Sequence, residues 1–284
     1  MVSRLPVTQS RKTGYSPAPI TMSEKQRIAA CIEYCGVNYS GWQYQDNAPS
    51  VQDQVENAIA QVANEKIRVV AAGRTDTGVH GIGQIVHFDT HSIRPRNAWK
   101  RGVNTHLPDD ISLLWTHAVD ESFHARFSAL ERSYRYVIFN RDVSSSYLHG
   151  RVTWHYVPLA VELMQQAATA LIGQHDFSAF RAAGCQSKNP VKEVSQVMIN
   201  QSGPWIWLDI SADGFLHHMV RNIVGTLFRI GERLESVEWM GKILAARERK
   251  HAGMTAPADG LYFVGVEYEP RFNLPPSPSV CRFW

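Results

Sequence analysis

The sequence predicts an α+β fold built as two similar halves, and three observations carry that reading. Strand-length apolar runs alternate with helix-periodic segments. Their order, strand, helix, strand, strand, occurs on both sides of a polar stretch at 140–150. The chain has 284 residues, enough for roughly two domains or one large one with a well-buried core. It is 44% hydrophobic and 19% charged, the balance of an ordinary globular protein. No apolar run approaches the ~18–20 residues that span a bilayer. The halves share that grammar without a residue-level repeat.

Taken in order, the first 24 residues are polar and include Arg4, Pro6, Arg11, Lys12, Pro17 and Pro19. They lack the apolar stretch of a secretory signal, so a mobile tail and a cytoplasmic location are expected. Arg27 to Tyr34 reads as a central strand. The loop from Gly36 to Pro49 follows, with Tyr39, Trp42 and Tyr44 among polar residues; these stack on bases or roof the core, and the core is the better reading for Trp42. Ser50 is placed to cap a helix whose buried face uses Val51, Val55, Ile59 and Val62. Strands are expected over Lys66–Ala72 and Gln84–Phe88. Arg94, Arg96, Lys100 and Arg101 surround Trp99 in the densest basic stretch, read equally as a solvated helix face or as a phosphate contact.

A strand over Asp110–Ala118 precedes another containing Arg132, Tyr134 and Tyr136, which share one face. Phenol and guanidinium on one face suit a flat ring and its phosphate; a half-buried amphipathic strand would look the same. Beyond 150, a helix over Pro158–Ile172 buries Val161, Met164, Ala168, Leu171 and Ile172 and stops at Gly173. Arg181–Pro190 is loop, and Val191–Ile199 pairs with Trp205–Ser211. A helix over Phe215–Ile230 turns Leu216, Val220, Val224, Leu227 and Phe228 inward, with His217, His218, Arg221 and Asn222 on its other faces. A helix over Ser236–Arg247 turns Val237, Met240 and Leu244 inward. A turn at Ala256–Gly260 and a strand over Leu261–Tyr268 complete the pattern. The expected division is a tail to residue 24, an N-terminal half at 25–140, a C-terminal half at 151–269 and an irregular tail at 270–284.

The chemistry concentrates in Gly73-Arg74-Thr75-Asp76-Thr77-Gly78-Val79-His80-Gly81, between two expected strands. Three glycines in nine residues let backbone approach a ligand closely, with Asp76 at the centre. Arg74, two residues away, is expected to keep that carboxylate ionised. This suits a nucleophile or a charge stabiliser. Glycoside hydrolysis would need a second acid, for which Asp89 and Asp213 are candidates without a spacing rule. His80, His87 and His91 have no ligand spacing, and adjacent helical residues diverge, so His217 and His218 are not expected to chelate a metal. The four cysteines, Cys31, Cys35, Cys185 and Cys281, include no CxxC pair and read as reduced thiols. Walker, GxGxxG and GxSxG motifs are absent, which leaves nucleotide hydrolysis, NAD chemistry and α/β-hydrolase chemistry without support. The net charge of +3 permits an anionic partner without implying one.

Four stretches, AAGRTDTGVHG, HARFSALERSYRY, GFLHHMVRNIVG and TAPADGLYFVGVEY, together resemble the tRNA pseudouridine synthase I (TruA) family in order and spacing. The resemblance covers roughly residues 26–268. It implies two α/β halves forming a continuous, mainly antiparallel mixed sheet, with helices on one side and a central active-site cleft. It implies an RNA-modifying isomerase that turns uridine into pseudouridine at positions 38, 39 and 40 of the tRNA anticodon stem-loop. The implied enzyme is a cytoplasmic homodimer without cofactor or metal. Asp76 matches the catalytic aspartate, Arg221 the basic residue paired with it, and Arg74 the arginine that helps expel the target base. Tyr134 matches the tyrosine that packs on the uracil, and His218 and Arg126 fall among the substrate-binding positions. Arg181, Lys188 and Lys192 join the basic stretch as expected phosphate contacts, Lys192 standing where the family more often has arginine. Two other readings remain open on residues alone: a non-catalytic tRNA-binding module, and a glycoside hydrolase.

Overall fold

The computed structural model describes residues 24–276 and 281–283. The expected N-terminal tail therefore lies, but for Glu24, outside the described residues. The chain forms β1 (Gln26–Tyr34), α1 (Val51–Ala63), β2 (Val70–Ala71), β3 (His80–Thr90), α2 (Arg96–His106), β4 (Ile111–Val119) and β5 (Ala129–Asn140). It continues with β6 (Thr153–His155), α3 (Val161–Ala168), β7 (Gly173–Asp176), β8 (Val191–Ser202), β9 (Trp205–Ala212), α4 (Met219–Gly231), α5 (Trp239–Ala246) and β10 (Leu261–Tyr268).

The strands form one sheet in the order β4-β1-β3-β10-β5-β9-β8-β7, with β2 added to β3 and β6 to β5. Two pairings are parallel, β10 with β3 and β6 with β5; the rest are antiparallel. The last strand thus inserts at the centre, against β3 on one side and β5 on the other. That insertion makes a single sheet of the whole chain, and the mixed, mainly antiparallel character is the one the resemblance implies.

α1 and α2 bury Ile28, Ala30, Ile32, Val86 and Phe88 beneath Val55, Ile59 and Trp99. α3, α4 and α5 bury Tyr136, Ile138, Leu208 and Ile210 beneath Met164, Val220, Ile223 and Leu227. Each fully buried Ile, Leu or Phe contributes about 1.5–3 kcal/mol by leaving water, so these two packings hold the helices to the sheet. Ser50 caps α1 as expected, its hydroxyl accepting from the Asp53 N–H at 3.3 Å.

Three local readings differ from the structure. Only Val70 and Ala71 of the expected strand at 66–72 pair with β3. Upstream, α1 side chains satisfy the backbone, with Glu56 accepting from the Val69 N–H at 3.0 Å. Ile172 is 45% exposed, because the helix tightens to a 3-10 turn at Thr169–Leu171 and rotates it outward. The helix expected from Phe215 begins four residues later, at Met219. Among the described residues of the C-terminal tail, Phe283 stacks on Trp205 at 5.9 Å and the Cys281 carbonyl accepts from Arg135 at 2.9 Å, so this part packs back on the sheet.

Candidate active site

The loop at 73–79 leaves β2 and enters β3 beside the parallel seam with β10. It is braced by backbone contacts and by side chains of the neighbouring strands. Gln84 donates to the Gly73 carbonyl at 2.7 Å, and the Trp42 N–H donates to the Thr75 carbonyl at 3.0 Å. The Tyr34 and Thr75 hydroxyls share a hydrogen bond of 2.8 Å. The loop at 36–42 lies so close that a Cβ on Gly41 would stand 2.5 Å from the Thr75 carbonyl oxygen, and one on Gly36 2.0 Å from that of Val79. Gly41 also has φ +95°, a conformation strained for any other residue. Trp42 is buried against Tyr34, as the core reading of that loop required. Tyr39 is buried too, and Tyr44 remains exposed. The segment that sequence reading left as a possible base-stacking loop is thus the support of the aspartate loop.

Asp76 points from this support toward the start of α4. The Arg221 Nη1 lies 3.6 Å from Oδ2, the His218 Nε2 3.4 Å from Oδ2, and the His217 Nε2 3.4 Å from Oδ1. Arg221 is held in place by its own Nε, which donates to the Ala256 carbonyl at 2.8 Å. His218 caps α4 with φ +61°, a left-handed turn that brings two successive imidazoles onto one side, their rings 4.0 Å apart. Sequence reading placed both histidines on a helix, where they would diverge. The late helix start removes that premise. Both histidines meet the carboxylate, and the ligand atoms of the three residues lie within 4.8 Å of one another. The first turn of a helix also favours a nearby carboxylate, through its unpaired N–H groups and dipole.

Burial lowers the pKa of His218 against the pull of Asp76, and His217, Arg221 and Arg249 add to the lowering. The Tyr134 phenol is pushed up by burial first, then by Tyr34 and the Asp76 charge. Tyr134 therefore stays neutral, its ring held edge-on by Phe215 and Phe263, each at 5.0 Å. Phe215 has no signal in the sequence beyond its apolar type, and its place on Tyr134 follows from the turn at 213–218.

Two expected site residues stand elsewhere. Arg74 is exposed and donates to Gln186 at 3.0 Å; the guanidinium on Asp76 is that of Arg221, not its sequence neighbour's. Arg126 is exposed, its guanidinium 5.6 Å above the Phe127 ring. Its carbonyl accepts from Arg132, which also donates to the Asp213 carbonyl at 2.8 Å. Among the phosphate candidates, Arg181 clamps its own loop by donating to the Cys185 and Ser187 carbonyls, each at 2.7 Å. Lys188, Lys100 and Arg101 are exposed, and Lys192 is half-buried. Both acids considered as a second carboxylate are engaged by groups other than those around Asp76. Asp89 is tied to Arg27 at 2.8 Å and Lys25 at 2.8 Å, and Asp213 accepts from the Glu193 N–H at 3.0 Å.

The loop at 181–190 lies over the histidines. The Ala182 N–H donates to the His217 carbonyl at 3.0 Å, and the His217 N–H points to the Cys185 Sγ at 3.4 Å. Burial raises the Cys185 pKa, but the N–H groups of His217 and Ser187 and the Arg181 charge outweigh it and hold the thiol below its ordinary value. All four cysteines are thiols, as expected, and burial pushes Cys31 up to about 12.

The family model described as tRNA pseudouridine synthase matches residues 30–128 and 167–269. The tRNA pseudouridine synthase A of Thiobacillus denitrificans is 53% identical over 257 residues, 90% of this chain and 99% of that protein. That of Hydrogenovibrio crunogenus is 52% identical over 248 residues, 87% and 95% of the two chains. That of Colwellia psychrerythraea is 48% identical over 251 residues, 88% and 97%. The matched spans hold Asp76 on one side and the α4 cations on the other, and the chain belongs to the tRNA pseudouridine synthase family of isomerases.

Proposed function

We propose that this isomerase acts on uridines of the tRNA anticodon stem-loop, at positions 38, 39 and 40, and that Asp76 carries the reaction. The observation that supports it most is the Asp76 carboxylate, held on rigid backbone between Arg221 and two histidines, beside a buried neutral Tyr134. In the reaction the N1–C1′ bond breaks and a C5–C1′ bond forms. C5 gives up its proton and N1 gains one, so composition is unchanged and the balance needs no redox partner.

Within this reading the target base leaves its stack, at a cost of a few kcal/mol, and finds an aromatic face in Tyr134. Arg221 keeps the carboxylate ionised and aimed. His218 lies near enough to Asp76 to contact the ribose or base, while Arg74 and Arg126, exposed on the rim, meet the RNA around the extruded nucleotide. The exposed basic residues of α2, with Lys188 and Lys192, hold phosphates. The halves at 25–140 and 151–269 flank the cleft, and the enzyme works in the cytoplasm as a homodimer, needing no cofactor.

The test is release of tritium from 5-tritiated uridine in tRNA, with pseudouridine mapped in the anticodon arm. The native chain releases tritium from positions 38 to 40 and Asp76→Ala does not. Full release by the variant, or release from another arm alone, overturns the reading. Rescue of a deletion phenotype by Asp76→Ala would instead favour a non-catalytic tRNA-binding role.

A further inference from the structure

We propose that the Asp76–His217–His218 cluster is a binding site for a divalent transition metal, Zn2+ above all, and that the ion competes with the RNA substrate for the carboxylate. The second clause rests on the reading of Asp76 given above; the first does not.

The argument is geometric. A zinc ion bound at about 2.0–2.1 Å in a tetrahedral site holds its ligand atoms about 3.3–3.4 Å apart. Here the His217 Nε2 stands 3.4 Å from Oδ1 of Asp76 and the His218 Nε2 3.4 Å from Oδ2, so an ion on either oxygen has that spacing to one imidazole and draws the other in by a side-chain adjustment. The three residues together offer two nitrogens and one oxygen, all within 4.8 Å. Two imidazoles and a carboxylate form a donor set that suits Zn2+, and one that leaves a fourth position open.

The cluster is also held in shape before any ion arrives. The left-handed turn at His218 sets the two rings on one side. The His217 carbonyl is tied to the Ala182 N–H at 3.0 Å. Asp76 sits on the braced glycine loop. Little ordering remains to oppose binding. Access is open as well, since the His217 side chain is 41% exposed and that of Asp76 25%. Arg221, at 3.6 Å from Oδ2, opposes a dication on the same oxygen. The ion is therefore a reversible occupant of the cleft, not a structural part of the fold.

The test uses the full chain with Zn2+ alone, by equilibrium dialysis, and with Co2+, whose visible absorption reports a low-coordinate nitrogen and oxygen site. The native chain takes up one ion. His217→Ala and His218→Ala each weaken uptake roughly tenfold or more, while Cys185→Ser leaves it unchanged. Circular dichroism verifies that each variant is folded, and His217, being half-exposed, is the variant least dependent on packing. No stoichiometric uptake, uptake indifferent to both histidines, or uptake lost with Cys185→Ser overturns the site. In the tritium assay Zn2+ inhibits the native chain and a chelator restores it. Stoichiometric uptake with undiminished isomerisation would leave the metal site standing and remove Asp76 from the reaction.

Discussion

The two walls of the cleft are built by opposite means. The Asp76 wall is a loop crowded by backbone, with Gly36 and Gly41 pressed against the Thr75–Val79 backbone where no side chain fits. The α4 wall is a set of side chains, Arg221, His217 and His218, aimed by one left-handed residue and by the hydrogen bond that the Arg221 Nε donates to the Ala256 carbonyl at 2.8 Å. The first wall fixes position. The second supplies the guanidinium and two imidazoles, placed on a held backbone but carried on side chains, whose rotamers can adjust to a ligand. The carboxylate is on the rigid wall, and the guanidinium and imidazoles that face it are on the side-chain wall.

The comparison is broken most severely at Asp76 itself. Asp76→Asn keeps shape and removes charge; we expect a loss of roughly 10^3-fold or more in turnover, measured by tritium release, with the melting temperature nearly unchanged. Retained turnover would show that the rigid wall presents something other than this carboxylate.

The next test sharpens the contrast between the walls. Gly41→Ala meets backbone at 2.5 Å and φ +95°, so it should cost about 2–3 kcal/mol in urea unfolding and lower activity with it. Gly184→Ala, in the loop over the histidines, has φ +77° but open space within 4 Å, and should cost about 1 kcal/mol. Equal costs would refute the claim that backbone crowding is what holds the aspartate loop.

Acidification probes the sheet behind the rigid wall. His80 and His87 are buried, and burial lowers each to about 4. The unfolded chain takes up these protons near pH 6.5 and the native chain does not. Stability is therefore full above pH 6.5 and is lost as pH falls toward 4. By pH 5 the loss is about 2 kcal/mol for each histidine. His87→Asn should flatten the slope between pH 7 and 5 in urea titrations; an unchanged slope would place the acid sensitivity elsewhere.

The smallest effect is expected on the side-chain wall. Arg221→Lys retains charge but cannot serve both Asp76 and the Ala256 carbonyl, so turnover should fall roughly 10-fold, with KM less affected. Arg221→Gln should fall further. If Lys and Gln fall alike, the fork geometry matters and the charge does not.

The sequence by itself determined the long strands of the sheet, though not the short β2, β6 and β7, together with the capped α1 and the place of the aspartate loop. Those depend on local periodicity, on Ser50 at a cap and on glycines around one carboxylate, and each signal lies within a dozen residues of its effect. Tyr134 and Arg221 were legible through their motif contexts. Proximity in the sequence pointed to Arg74 as the cation beside Asp76 and the family resemblance to Arg221, and the tertiary structure decided between them. Arg74 is two residues away and turns to Gln186, while Arg221 is 145 residues away in the chain, 221 minus 76, and meets the carboxylate because β10 and α4 fold back to the centre of the sheet. The pairing of His217 with His218 was hidden, because it depends on a helix that begins four residues later than its apolar pattern and on one left-handed φ. Helical periodicity persists through a segment whether or not the backbone follows it; here the left-handed turn at His218 and the bond from the Ala182 N–H to the His217 carbonyl precede the first helical residue, Met219.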